Sequence, residues 1–363
     1  MSHVIFAKNK STMINIQYTP PQYIFTSSLP TSISITTDAS ALDITVECGG
    51  NTVFTTTLYP YNREVILHDI RSIIEGYLLS NKLIHTSFVI FAESEDESVN
   101  TPEREALYCR VDIPNNAASY YIQSFFFNTL SAYTIPFDAF QTLTLFALPG
   151  TTIPGYIECA VLPEGSTTPI LMRTAEDTIT TKSSLDYYAI DIFPSRIQQS
   201  LPIAGKLLSF TVHYGHLAKT FYITYGKPYL TLLAMNEFGC PEYIHLTCVT
   251  KRKLDISRST ATCLGASTFY DDTTAYEYEV ESSMLTLEQT DHLSVLLLSQ
   301  DISIITDNHS YPIIITDITS EISDADNATN ALKFKYKYAR HRIPKSLKYP
   351  NNIFDDPFHR TFD

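Results

Sequence analysis

From Ile24 onward, apolar and polar residues alternate in short runs separated by turn residues. Ser32-Ile33-Ser34-Ile35 and Asp43-Ile44-Thr45-Val46 have the two-residue period of half-buried strands. Cys48-Gly49-Gly50-Asn51-Thr52-Val53-Phe54 predicts a hairpin, because Gly and Asn supply the positive φ of a tight turn. Ile70, Ile73, Ile74, Tyr77 and Leu78 recur instead at helical spacing and predict one short amphipathic helix, with Asp69 expected to cap its free amides. Strand pattern returns over Leu83 to Phe91. Glu93 to Glu97 reads as a solvated acidic loop, and Leu107 to Val111 as a closing strand before Pro114. Residues 1–21, polar and ending in Thr19-Pro20-Pro21, read as an N-terminal arm.

The arrangement recurs. Ile157-Glu158-Cys159 matches Val46-Glu47-Cys48, and Tyr187 to Ile192 matches Val65 to Ile70 with Asp191 on Asp69. Leu207 to Val212 matches Ile84 to Val89, and Phe221 to Tyr225 with Pro228 matches Leu107 to Val111 with Pro114. The expectation is two copies of one module, over residues 22–116 and 117–228. The competing explanation is that any two strand-rich modules share such alternation. Each module has short strands with frequent turns and one crossover helix, which suits an immunoglobulin-like β-sandwich. Pro194 and Pro202 shorten the second helix.

Residues 229–345 differ and are expected to form a β-rich domain with one helix. Thr286 and Gln289 make a capping box, Glu288 and Asp291 favour the helix start, and Leu293, Leu296 and Leu297 face the core. Ile302 to Ile305 and Pro312 to Ile315 read as strands. Leu332 to Tyr338 alternates aromatic residues with Lys333, Lys335 and Lys337, and reads as a half-exposed or edge strand with a positive polar face. Residues 346–363 form an aromatic tail. The fold class is therefore mainly β: tandem immunoglobulin-like sandwiches with short crossover helices, plus a third β-rich domain.

Charge narrows the function. The 363 residues carry 25 Lys+Arg against 39 Asp+Glu, a net charge of −14. Such a chain is repelled by nucleic-acid phosphates and anionic lipid, so neither nucleic acid nor membrane insertion is expected. No apolar run approaches the ~18 residues of a spanning helix. The N-terminus lacks the pattern of a signal peptide, so synthesis and retention in a cytosol are expected. Seven of the basic residues fall within 333–348 with no acid among them. That asymmetry can steer head-to-tail contact between copies.

Candidate chemistry is sparse. There is no glycine-rich phosphate loop and no nucleophile elbow. His213 and His216 lie three apart, on opposite faces of a strand, and chelate poorly. Asp324-Ala325-Asp326-Asn327 lacks the glycine and closing glutamate of a calcium loop. Asp271-Asp272 and Asp355-Asp356 are neighbours and do not make the opposed pair of a glycosidase. The six cysteines contain no Cys-x-x-Cys pair and read as buried thiols. No cofactor, metal or catalytic set is expected, and the protein is read as non-enzymatic. Phe354, Phe358 and Phe362 recur every four residues beside Asp355 and Asp356, a spacing that suits anchoring to a partner. The alternative is that this tail folds back on its own domain.

Asn236-Glu237-Phe238-Gly239-Cys240-Pro241-Glu242 resembles an Asn-x-Phe-Gly-x-x-Glu motif in structural proteins of phages and prophages of Bacteroides-like bacteria. The later order is similar to that group too: Tyr276 to Val280, Leu293 to Ser299, Pro312 to Asp317, Lys335 to Ala339, then Ile353 to Asp356 and Phe362-Asp363. Cys240-Pro241 occupies variable positions, and Phe358-His359 stands where a second Phe-Asp pair belongs. The resemblance covers mainly 229–363 and implies a virion component of the tail tip or baseplate, made in the bacterial host cytoplasm. It implies partners among other tail proteins and a homo-oligomer. Asn236, Phe238, Gly239 and Glu242 are expected to fix a turn. Phe354, Asp355, Asp356, Phe358, Phe362, Lys333, Lys335 and Lys337 are expected to make assembly contacts. The alternative function is glycan or receptor binding through exposed Tyr120, Tyr121, Tyr187 or Tyr188, against which the lack of Trp counts.

Overall fold

The structure is a computed structural model. It describes residues 13–113, 118–174, 176–181, 183–226, 229–263, 266–306, 309–321 and 330–339; within the long hairpin after Pro241 some of these are described for the backbone alone. The fold is mostly β and divides into two compact units. One holds Met1–Tyr225 with Met235–Glu242, the other Gly226–Ala234 with Tyr243–Asp363.

The first module of unit 1 runs β1 (Ile14–Ile16), β2 (Tyr23–Phe25), β3 (Ser32–Thr37), β4 (Leu42–Cys48), β5 (Asn51–Leu58), β6 (Glu64–His68), α1 (Ile70–Asn81), β7 (His85–Glu93), β8 (Ser98–Asn100) and β9 (Arg104–Leu107). One sheet has the order β2-β9-β7-β4-β5 and the other β1-β3-β6. Their alternate residues meet in a core that includes Ile33, Ile35, Ile44, Val46, Leu67, Ile74, Phe88 and Ile90. Gly49 and Gly50 take positive φ at the β4–β5 turn, as the hairpin requires.

The second module runs α2 (Ala118–Ser124), β10 (Ala132–Pro136), β11 (Gln141–Ala147), β12 (Thr152–Pro163), β13 (Ile170–Arg173), β14 (Asp177–Thr180), β15 (Asp186–Ile192), α3 (Pro194–Ser200), β16 (Gly205–Tyr214) and β17 (Leu217–Thr224). Its large sheet is ordered β10-β17-β16-β12-β13, and β11 pairs with β15. That is the strand order of the first module position for position, including the parallel pair at one edge: β2 on β9, β10 on β17.

The register agrees in detail. Cys48 faces Phe88 and Cys159 faces Phe210; Val46 faces Ile90 and Ile157 faces Val212. Two residues on, Ile44 faces Ala92 whereas Gly155 faces Tyr214. The large and small partners have exchanged strands, so the space between sheets is filled from the opposite side.

Two local expectations fail. Asp69 does not cap α1 with its side chain: it adopts φ 60° and only its carbonyl accepts, from Ile73 N at 3.1 Å. Asp191 is not its counterpart, because α3 starts after Phe193 and Asp191 lies inside β15, accepting from Thr142 Oγ1 at 2.9 Å. Strand alternation continues into each helix without a break that would mark the cap.

Unit 2 contains a closed barrel, β18-β19-β20-β23-β22-β21. Its elements are β18 (Tyr229–Met235), β19 (Pro241–Cys263), β20 (Ala266–Ser282), α4 (Leu287–Leu296), β21 (Ile302–Thr306), β22 (His309–Glu321) and β23 (Ala331–Tyr338). Thr286 caps α4 in a reciprocal capping box with Gln289; Glu288 lies in the first turn and Asp291 beyond it. Leu293, Leu296 and Leu297 join Leu232, Ile304, Phe334 and Tyr336 in the barrel core. β23 is not an edge strand. It pairs with β20 on one side and β22 on the other. Alternation reports which face of a strand is buried but not how many neighbours it has.

A Cβ on Gly155 would lie 2.4 Å from the Tyr214 ring. Gly155→Ala is therefore expected to destabilise unit 1 by about 1–3 kcal/mol, the usual cost of overpacking. Tyr214→Leu in the same chain is expected to remove most of that increment. Urea unfolding of both single variants and the double variant measures the coupling.

Candidate functional site

The motif Asn236–Glu242 forms the turn between β18 and β19, and its residues belong to unit 1 rather than to the third segment. The Asn236 side chain is 3 % exposed and fully used. Its Oδ1 accepts from Phe238 N (3.0 Å) and Cys240 N (3.1 Å), while Nδ2 donates to Phe127 O (2.6 Å) and Glu242 Oε2 (3.0 Å). The Tyr133 hydroxyl donates to the other oxygen of Glu242, whose side chain is wholly buried. Asn236 thus closes the turn and fastens it to the second module.

The rest of the turn reaches the first module. Phe238 packs within 4.9–5.8 Å of Tyr121, Phe127 and Phe25, in a core shared with Leu107, Cys109 and Phe146. Arg110 N donates to Glu237 O at 2.9 Å. Gly239 has φ +71°, and a Cβ there would sit 3.0 Å from the Tyr108 ring. Glycine is needed for conformation and for space. The side chains of Asn236, Phe238 and Glu242, on a turn that Gly239 permits, join two modules, a role that spacing in sequence could not reveal.

The lysines of β23 lie on the outer face of the barrel and are paired. Lys333 Nζ is 3.1 Å from Glu281, Lys335 Nζ 3.0 Å from Asp317, and Lys337 Nζ 3.8 Å from Glu277. The register extends this into a ladder. Lys251 of β19 faces Glu279 of β20, which faces Lys335 of β23, which faces Asp317 of β22. Lys253 faces Glu277 in the next row. Cross-strand pairs of opposite charge stabilise a sheet by roughly 0.2–1 kcal/mol each. The expected positive face is therefore one rung of an alternating pattern, not an isolated basic stripe. Phe354, Asp355, Asp356, Phe358 and Phe362 lie outside the described residues, as does Asp324–Asn327.

His213 stacks on Tyr156 at 4.5 Å, 3.6 Å from Glu158, and His216 lies in the turn between β16 and β17. Among the described residues no group of three His, Cys, Asp or Glu could hold a metal ion, and no helix is long and apolar enough to cross a membrane. Cys48, Cys109, Cys159 and Cys240 are free and buried. Burial pushes the Cys48 thiol up to about 12 and that of Cys159 to about 11, which keeps both protonated and unreactive. Of the tyrosines considered for sugar stacking, Tyr120 and Tyr187 are exposed, whereas Tyr121 packs in the core shared by the modules.

No protein-family profile matches the sequence, and no curated protein does. Among solved structures, a chain from the tail of an empty GTA particle with C6 symmetry is 11 % identical, covering 31 % of this chain and 92 % of its own length, with a TM-score of 0.23. The plexin A4 extracellular region is 10 % identical over 92 % of this chain and 40 % of its own, with a TM-score of 0.22.

Asn236→Ala leaves Glu242, Phe127 O and two amides short of partners, and is expected to destabilise unit 1 by about 2–4 kcal/mol in chemical denaturation. A second expectation concerns alkali. Burial raises the native thiols of Cys48 and Cys159 from 9.0 and the phenols of Tyr133, Tyr18 and Tyr214 from 10.0. The unfolded chain releases these protons first. Their stabilisation is present in full below pH 9 and is lost as pH rises through 9–12. Thermal unfolding between pH 7 and 11 should show a midpoint independent of these groups' titration at the low end, where their stabilisation is complete, and a falling midpoint at the high end.

Proposed function

We propose that this chain is a non-enzymatic structural protein of a phage or phage-like tail, acting through protein–protein assembly. The observation that carries the reading is the β19–β20 ribbon. It is paired from Cys248↔Ser282 to Cys263↔Ala266 with one register shift between Ser259 and Thr260, and among the described residues β23 backs it over Tyr278–Glu281. The twelve residues Ala266–Glu277 at about 3.4 Å each give an arm of about 40 Å. A two-stranded ribbon is marginal in water by itself, and its long edges are templates for another chain. Val249, Leu254 and Tyr276 leave large apolar surfaces exposed on it. Such an arm suits an assembly subunit, whose neighbours can cover its edges.

The resemblance of Asn236–Glu242 and of the later strands to phage and prophage structural proteins supports the same reading and supplies its setting, a tail tip or baseplate. Glycan binding is the competing reading, and exposed Tyr120 and Tyr187 are its best support. An antibody or mass-spectrometric search of purified particles from the source tests the proposal. The chain is expected in stoichiometric amount with other tail proteins. Its absence from intact particles, together with saturable binding on a glycan array, would replace the assembly reading.

A further inference from the structure

Among the described residues, the ribbon and the barrel leave two strand edges open within unit 2. Thr231 Oγ1 lies 3.0 Å from His245 Nδ1, so β18, which starts at Tyr229, runs out near Thr247. Cys248 still meets the Leu230 backbone, and beyond it no described strand pairs with β19 on that side. On the far side of the same sheet, β21 ends at Ile302, opposite Ile313 in the register set by Ser303↔Pro312. From Ile314 onward no described strand pairs with the outer edge of β22. A groove of about 510 Å³ lies there, lined by Leu297, Leu298, Ile302, Ile314 and Ile318 with Asp317 among them. Leu298 is 65 % and Ile314 57 % exposed.

We infer that the β22 edge and its groove receive β19 of a second copy of this chain, which deepens the assembly reading proposed above. Charge and strand direction both identify the occupant. Across the sheet the outer face reads Lys251, Glu279, Lys335, Asp317: basic, acidic, basic, acidic. The next strand that continues this alternation must be basic, and β19, with Lys251 and Lys253, is basic. Directions alternate as well. β19 pairs antiparallel with β20, β20 with β23 and β23 with β22, so β22 runs opposite to β19. A second copy in the same orientation adds its β19 antiparallel to β22. The four strands are a repeating unit in sign and polarity. The contact is heterologous, one edge of each copy on the other edge of the next, and it generates a ring or an open helix. Backbone bonds along the edge give affinity, and the ladder sets the register.

Cysteine cross-linking of the full chain tests this. Asp317→Cys mixed with Lys251→Cys, or with Lys253→Cys for a stagger of two residues, should give a covalent dimer under mild oxidation. The Lys251→Cys and Lys253→Cys chains alone should give none. A chain carrying both Asp317→Cys and Lys251→Cys should give a ladder whose top band counts the subunits. Light scattering should report self-association of the unmodified chain. Asp317→Lys should weaken it roughly ten-fold, with the melting temperature lowered only by the small loss of the pair to Lys335. A strict monomer at high concentration overturns the proposal, as does a Lys251→Cys chain that cross-links to itself. So does association that appears only after deletion of residues 346–363, which would assign the groove to the chain's own tail. Particle incorporation is read separately, so a chain found in particles without these cross-links sinks this contact and leaves the assembly reading standing.

Discussion

The organisation of unit 1 depends on one buried polar cluster. Glu242, with no exposed side-chain surface, is held by Tyr133 and Asn236, and Asn236 in turn holds Phe127 O and the two amides of its own turn. A carboxylate without water is costly unless its acceptors are filled. Here each donor comes from a different part of the chain, so the cluster is satisfied only when the turn and the second module are in place. Phe238, carried on the same turn, then fills the apolar core between Phe25 of the first module and Phe127 of the second. Polar satisfaction fixes position, and aromatic burial supplies the larger part of the stabilisation.

The two modules show what a shared strand order leaves free. The pairs Cys48–Phe88 and Cys159–Phe210 occupy the same place in two sheets of the same order. Beside them the volumes of Ile44 and Ala92 are redistributed to Gly155 and Tyr214. A core constrains total volume and patterning more tightly than which strand supplies the bulk. The barrel of unit 2 is governed by a different balance. Its inner face is a packed apolar core, while on its outer face β19, β20, β23 and β22 alternate in charge, each opposite in sign to the next. Such a pattern pairs unlike charges across neighbouring strands of one chain.

Much of the fold was legible. Period-two alternation located most strands, helical spacing located α1, and the Thr286–Gln289 box located the start of α4. Errors arose where local pattern meets tertiary context. Asp69 has the composition of a cap, but its left-handed backbone turns the side chain away from the free amides. Lys333, Lys335 and Lys337 read as the positive face of a half-exposed or edge strand; the face is as read, but the strand is not at an edge, because its neighbours β20 and β22, which carry the acidic partners, are distant in sequence. The candidate turn was found as a motif, while its attachment to Phe127 and Tyr133 was invisible.

The sequence by itself determined the class of elements and the buried face of each strand, because side-chain period and turn chemistry act over a few residues. It also determined the acidic balance and the glycine at position 239, where left-handed φ admits little else. Only the tertiary structure decided which strands became neighbours: β23 enclosed between β20 and β22, and Glu242 beneath Tyr133. Those partners are separated by tens to more than a hundred residues, and their pairing follows from burial and charge complementarity across the folded chain, which no local window contains.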